Sequence, residues 1–161
     1  MTDTTTETYV MPKLEVGDKA PLFKAKNQNG DLIDIQQILE SGQQVLLIFY
    51  PGDDTPGCTK QLCGIRDVYS EYKKLGVQVF GVNHADEKSH EKFISKYTFQ
   101  FDILVDTNKE IAKLYGAMKK FFANYVIKRG AFLIGTDGVI QYRYWGQQDN
   151  EEIIELIKKT R

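Results

Sequence analysis

The chain is poor in cysteine, proline, histidine and tryptophan: its 161 residues include two, four, two and one of them. The two cysteines, Cys58 and Cys63, lie five positions apart. That excludes a secreted scaffold stapled by disulfides, which uses more cysteines at wider spacing. Long apolar runs are missing too. The longest, Val45 to Tyr50, has six residues, far short of the ~20 that a membrane-spanning helix needs. Neither sign of charge dominates, with 21 Lys and Arg against 22 Asp and Glu. A net charge of −1 argues against a nucleic acid or an anionic membrane held by bulk charge. The opening stretch, MTDTTTETYVMPKLEVGD, lacks the basic-then-apolar pattern of a secretory signal, so a cytoplasmic protein is expected.

What remains is an ordinary globular balance, 42% hydrophobic and 27% charged, at a length that fits one core. Residues 1–8, rich in Thr and acids, read as a flexible lead, and residues 9–161 as a single domain. Strands are predicted at Phe23–Lys26 and Leu32–Ile35 across the turn Asn27-Gln28-Asn29-Gly30. Gln44–Tyr50 reads as a buried strand from its unbroken apolar run. A helix starts at Thr55-Pro56 and carries the stripe Leu62, Ile65, Tyr69 and Tyr72 until Gly76. Strand Val77–Val82, helix Glu87–Tyr97, strand Ile103–Val105 and helix Lys109–Tyr115 follow. Residues 117–128 lack a period and read as a loop. Within them, Lys119-Lys120-Phe121-Phe122 reads as a rim of the site or partial core. A hairpin, Ala131–Gly135 with Val139–Tyr144, and a last helix, Asn150–Lys159, complete the order. The pattern predicts an α/β fold with a central mixed sheet flanked by helices. It matches a thioredoxin-like fold with an added N-terminal hairpin.

The chemistry concentrates in Pro51-Gly52-Asp53-Asp54-Thr55-Pro56-Gly57-Cys58-Thr59-Lys60-Gln61-Leu62-Cys63. With Thr55 as N-cap, Cys58 is the third helical residue, where backbone N–H groups lack intrahelical partners and the dipole is positive. A thiolate is stabilised there, and the thiolate is the nucleophile. Asp53 and Asp54 would oppose it if turned inward, so both are expected to face solvent. A lone cysteine after a turn reads as structural; a second one five positions on argues otherwise. Arg129 offers a guanidinium that stays charged and presents its donors in a rigid fork. His84 and His90 have the wrong spacing to join the cysteines around zinc and read as surface or loop residues. No metal or other cofactor is expected.

These residues resemble a known family. The run matches the Pro-x-x-x-Thr-x-x-Cys signature of the peroxiredoxins, and the Cys58-x4-Cys63 spacing is similar to their peroxiredoxin Q branch. The likeness extends from Val16-Gly17-Asp18-Lys19-Ala20-Pro21 to the final helix. It implies that Cys58 is the peroxidatic cysteine and Cys63 the resolving one, with a Cys58–Cys63 disulfide between them. It further implies that Thr55 hydrogen-bonds the thiolate and the peroxide, that Pro51 shields the site, and that Arg129 is the active-site arginine. A hydroperoxide substrate and thioredoxin or a similar dithiol reductant come with it, acting on a monomer or weak dimer. The chain departs from the branch at Gln61, where many members carry Glu, at Ala131 and at Asn83-His84. Two other classes stay open on the residues alone: a protein dithiol–disulfide oxidoreductase, which would need Cys-x-x-Cys, and a non-catalytic chaperone or binding module.

Overall fold

A computed structural model describes residues 9–160; the expected flexible lead, residues 1–8, lies outside them. Strand β1 (Lys24–Lys26) pairs antiparallel with β2 (Leu32–Asp34). Their turn docks on the sheet: Asn27 and Gln28 donate to the Asp102 carboxylate at 3.1 and 2.9 Å. Gln28 Oε1 also accepts from the Ile103 amide at 3.0 Å. The hairpin therefore covers the edge strand that carries those residues, a common way to blunt an open edge.

Helix α1 (Ile35–Glu40) follows at once, capped by Asp34, whose carboxylate accepts from the Gln36 amide. The sequence pattern predicts no helix here. Six residues bury only Ile35 and Leu39, with Ile38 partly buried beside them, too short a run to show a helical period.

Next come β3 (Gln44–Phe49), α2 (Pro56–Lys74), β4 (Val77–Asn83), α3 (Glu87–Tyr97), β5 (Asp102–Val105) and α4 (Glu110–Tyr115). They are followed by β6 (Met118–Phe121), β7 (Asn124–Ile127), β8 (Gly130–Ile134), β9 (Ile140–Trp145) and α5 (Asn150–Lys159). The main sheet runs β5-β4-β3-β8-β9. β4 is parallel to β3 and β5, while β8 is antiparallel to β3 and β9. β3 is central, and all six of its residues are buried. Its alternate side chains enter two cores. Leu46 and Ile48 join Leu62, Ile65 and Tyr72 of α2, Phe93 of α3 and Ile153 of α5. Val45, Leu47 and Phe49 join Ile35 of α1, Tyr115 of α4 and Phe132 of β8. Both faces are thus covered, which is why β3 reads as unbroken apolar sequence rather than alternation.

The expected loop at 117–128 is instead a β-hairpin, β6 with β7, in register from Met118↔Ile127 to Phe121↔Asn124. Only its base, Met118 and Ile127, is buried, so no period-two pattern marks it. Phe122 makes the turn in the left-handed region (φ 57°), a conformation that Gly or Asn would have announced. Phe121 and Phe122 are exposed rather than part of the core.

Candidate active site

The site forms where β3 ends. Parallel strands β3 and β4 bring their carboxyl ends together here, the usual place for a site on such a sheet. Pro51 breaks the strand, and Pro56 occupies the first position of α2. Thr55 is the N-cap residue in extended conformation, as expected. Its hydroxyl, however, donates to the Gly52 carbonyl at 3.0 Å and makes no side-chain cap bond. The first-turn amides of α2 therefore keep their outward donors.

Cys58 is the third residue of α2, and its side chain is fully buried. It follows directly on the exposed Thr55, Pro56 and Gly57 in that same turn. Cys63 is half-buried further along the same unbroken helix, and both thiols are free.

Arg129 reaches this turn from the segment between β7 and β8. A Cβ added at Gly57 would lie 3.1 Å from Arg129 Nη2, so the missing side chain makes room for the guanidinium. Arg129 Nη1 donates to Gln61 Oε1 at 2.7 Å. Gln61, three residues after Cys58 and on the same helix face, is completely buried. Its amide donates onward to Gln148 Oε1 at 3.1 Å, and Gln148 donates to Asn150 Oδ1 at 3.4 Å. Tyr72 also donates to Asn150 Oδ1, at 2.8 Å. The donor on Arg129 sets the direction of the chain, since Gln61 must turn its oxygen to the guanidinium and its NH2 away. Gln61 thereby anchors Arg129 without neutralising it.

The two aspartates divide. Asp54 is exposed as expected and binds Lys96 and Tyr97 of α3, both at 2.7 Å. Those hydrogen bonds hold its carboxyl below the usual value. Asp53 does not face solvent. Its carboxylate accepts from the Tyr50 hydroxyl at 2.6 Å, from Ser89 Oγ at 2.7 Å and from His90 Nδ1 at 2.7 Å. Burial alone would raise its pKa, but the His90 contact and the two hydroxyl donors outweigh burial and lower it. The Asp53 charge is thus spent on His90 and the hydroxyls rather than turned against Cys58. His90 is fully buried, not the surface residue its sequence context implied; His84 is exposed. Tyr50, raised well above its ordinary pKa by burial and then by Asp53, stays a phenol and a donor.

The structure therefore brings Thr55, Cys58 and Arg129 to one helix turn, with Pro51 in the loop that leads into it and Cys63 about 1.4 turns further along α2. Gln148, Asn150 and His90 went unnoticed as partners. They lie 87, 78 and 37 positions from the residues they serve, Gln61, Tyr72 and Asp53, and no local spacing signals such pairs. A nearby cleft of about 600 Å³ is lined by Asp53, Asp54, Ser89, Phe93 and Lys96. It contains none of Cys58, Thr55 and Arg129, so the nucleophile does not open into it.

A model of the AhpC/TSA family matches residues 16–143. The chain is 41% identical over 131 residues to the peroxiredoxin bcp of Coxiella burnetii, across 79% of this chain and 85% of that one. It is 37% identical over 150 residues to the chloroplastic peroxiredoxin Q of Triticum aestivum, across 92% and 68%. Among solved structures, peroxidoxin BcpB of Mycobacterium tuberculosis superposes with a TM-score of 0.85 at 24% identity, across 92% and 99%. The bacterioferritin comigratory protein of Xanthomonas campestris, whose structures concern alkyl peroxide reduction, gives 0.78 at 21%, across 89% and 99%.

Proposed function

Because this chain belongs to the AhpC/TSA family, in its peroxiredoxin Q branch, we propose that Cys58 is the atom at which it reduces hydroperoxides. The protein is a thiol-dependent peroxidase. The observation that carries the assignment of the site is the placement of a buried Cys58 in the first turn of α2, beside the Gly57 against which the Arg129 guanidinium packs.

In the first step the Cys58 thiolate attacks one peroxide oxygen. The O–O bond breaks, and the leaving oxygen takes a proton and departs as water or an alcohol. Cys58 is left as sulfenic acid. Arg129 can meet the negative charge as it moves to the leaving oxygen, and Thr55 can hydrogen-bond the peroxide. In the second step the Cys63 sulfur attacks the Cys58 sulfur. An S–S bond forms, and the sulfenic oxygen leaves as water. A dithiol donor of thioredoxin type then returns two electrons and two protons by thiol–disulfide exchange. All five residues, Pro51, Thr55, Cys58, Cys63 and Arg129, come from one chain, which suits action as a monomer or weak dimer. A cytoplasmic setting, where thiols are kept reduced, suits the cycle.

One equivalent of hydrogen peroxide added to the reduced protein is expected to remove two thiols within seconds, counted by thiol titration. A protein that keeps both thiols for minutes is no peroxidase, and the binding-module reading then gains. Arg129→Ala is expected to slow oxidation of Cys58 by about 10²-fold, the scale of losing one charge-stabilising donor. Its thermal midpoint should fall by the cost of leaving the buried Gln61 Oε1 without its donor, about 1–3 kcal/mol, with the fold kept. Competition against a reporter peroxidase measures the rate.

A further inference from the structure

The loop between β3 and α2 is gripped by α3 at two successive carboxylates. Asp54 stands in the left-handed region (φ 54°) and is held there by Lys96 and Tyr97. Asp53 is held more deeply, by Ser89 and His90. The His90 ring has Nδ1 2.7 Å from Asp53 Oδ2 and Nε2 3.3 Å from the Asn83 carbonyl. Both partners accept. The shorter contact joins the ring to Asp53, and the Asn83 carbonyl closes its other side. Asn83 closes the ring of contacts: its Nδ2 donates to the Tyr50 carbonyl at 2.8 Å, and its Oδ1 accepts from the Ala85 amide at 2.9 Å. The last residue of the β3 segment, the loop and α3 are thereby one polar unit.

The first turns of α2 are anchored elsewhere, through Gln61 to Arg129 and Gln148. The two anchors share no residue. The α3 grip can therefore persist while the first turns of α2 rearrange.

We propose that His90, acting through Asp53, is a positioning residue of the peroxidase site. It fixes the loop Pro51–Thr55 against α3, so that Thr55 and the entrance to Cys58 are in place when peroxide arrives. It governs the oxidation of Cys58 and leaves the closing of the disulfide untouched. This rests on Cys58 being the peroxidatic cysteine.

Rapid-quench mass spectrometry with hydrogen peroxide separates the two steps, sulfenic acid formation and disulfide closure. It is run on the wild type, His90→Phe, His90→Asn and Ser89→Ala, with thermal midpoints alongside. His90→Phe keeps the ring volume and loses both ring nitrogens; oxidation is expected to slow about tenfold or more, with closure within about twofold of wild type. His90→Asn places Nδ2 where Nδ1 stood and should recover oxidation to within about threefold of wild type. A folded His90→Phe that oxidises at the wild-type rate overturns the proposal. So does equal slowing of both steps with no recovery in His90→Asn, which marks a merely structural residue. Should His90→Phe fail to fold, Ser89→Ala decides: slowed oxidation with unchanged closure supports the clamp, and a wild-type rate overturns it. If wild-type Cys58 itself does not oxidise, the peroxidase reading falls and the clamp with it.

Discussion

Cys58→Ser is expected to consume no peroxide above buffer background, whereas Cys63→Ser consumes one equivalent fast, a second more slowly, and then stops without turning over. The difference follows from which sulfur sits in the first turn of α2. Cys58 sits there among free first-turn backbone donors, next to the Gly57 that the Arg129 guanidinium packs against, and Cys63 does not. A serine hydroxyl at 58 does not ionise at neutral pH, and no sulfenic acid can form. With serine at 63 the first step is intact. The Cys58 sulfenic acid then has no thiol on its own chain to condense with, since the protein has only these two cysteines. Under excess peroxide it should pass to sulfinic acid, unless an outside thiol captures it first. Intact-mass spectrometry reads both results: no added oxygen in Cys58→Ser, and two in Cys63→Ser. Sulfinic acid on Cys63 in the wild type, or equal sensitivity in the two variants, would reverse the assignment. A protein dithiol–disulfide oxidoreductase would show a third pattern, activity toward protein disulfides with no fast reaction with peroxide.

Much of this was legible in the amino-acid sequence, for identifiable reasons. The run Val45–Tyr50 exposes nothing on either face, so its lack of alternation marks the central strand. Thr55-Pro56 places the start of α2 because proline suits the first helical position. Gly138, with φ 82°, marks the turn between β8 and β9. The elements that escaped notice are those whose side chains carry little burial signal. Helix α1 buries two residues, and the β6–β7 hairpin is solvated along most of its length. The site divides the same way. Cys58, Thr55 and Cys63 are local in sequence, and Arg129 came from family likeness. The inward turn of Asp53 came as a correction. A carboxylate five positions before a nucleophilic cysteine is expected to face water, unless a distant partner holds it. His90, 37 positions away, does so.

The largest structural change should come with oxidation, and helical geometry dictates it. Cys58 and Cys63 lie on one unbroken helix. Five residues advance an α-helix about 7.5 Å and turn it roughly 140°, which sets the two Cα atoms about 8.7 Å apart. A disulfide wants about 4.4–6.8 Å. The sulfurs therefore cannot bond while the first turns of α2 stay regular. Several features lower the cost of unwinding them. Gly57 and Gly64 each weaken a helix by roughly 1 kcal/mol relative to Ala. Thr59 Oγ1 is buried in the helical form without a hydrogen-bond partner, a penalty of about 1–3 kcal/mol that exposure to water would relieve. Opposing them are the two Gln61 hydrogen bonds, to Arg129 and Gln148, and the burial of Leu62, worth about 1.5–3 kcal/mol. The sums are comparable, so a new S–S bond can decide the balance. Downstream, Tyr72 stays pinned in the core with Val68 and Tyr69 packed beside it, and stops the unwinding. Oxidation is thus expected to lower amide protection by at least about tenfold across residues 57–66, with the strands unchanged. The unwound segment would carry the disulfide to the surface, where a dithiol reductant can reach it. Hydrogen exchange on the reduced and peroxide-oxidised protein measures this directly. Equal protection of that segment in the two forms would mean that the disulfide closes by another movement of the chain, and local unwinding of α2 would be wrong.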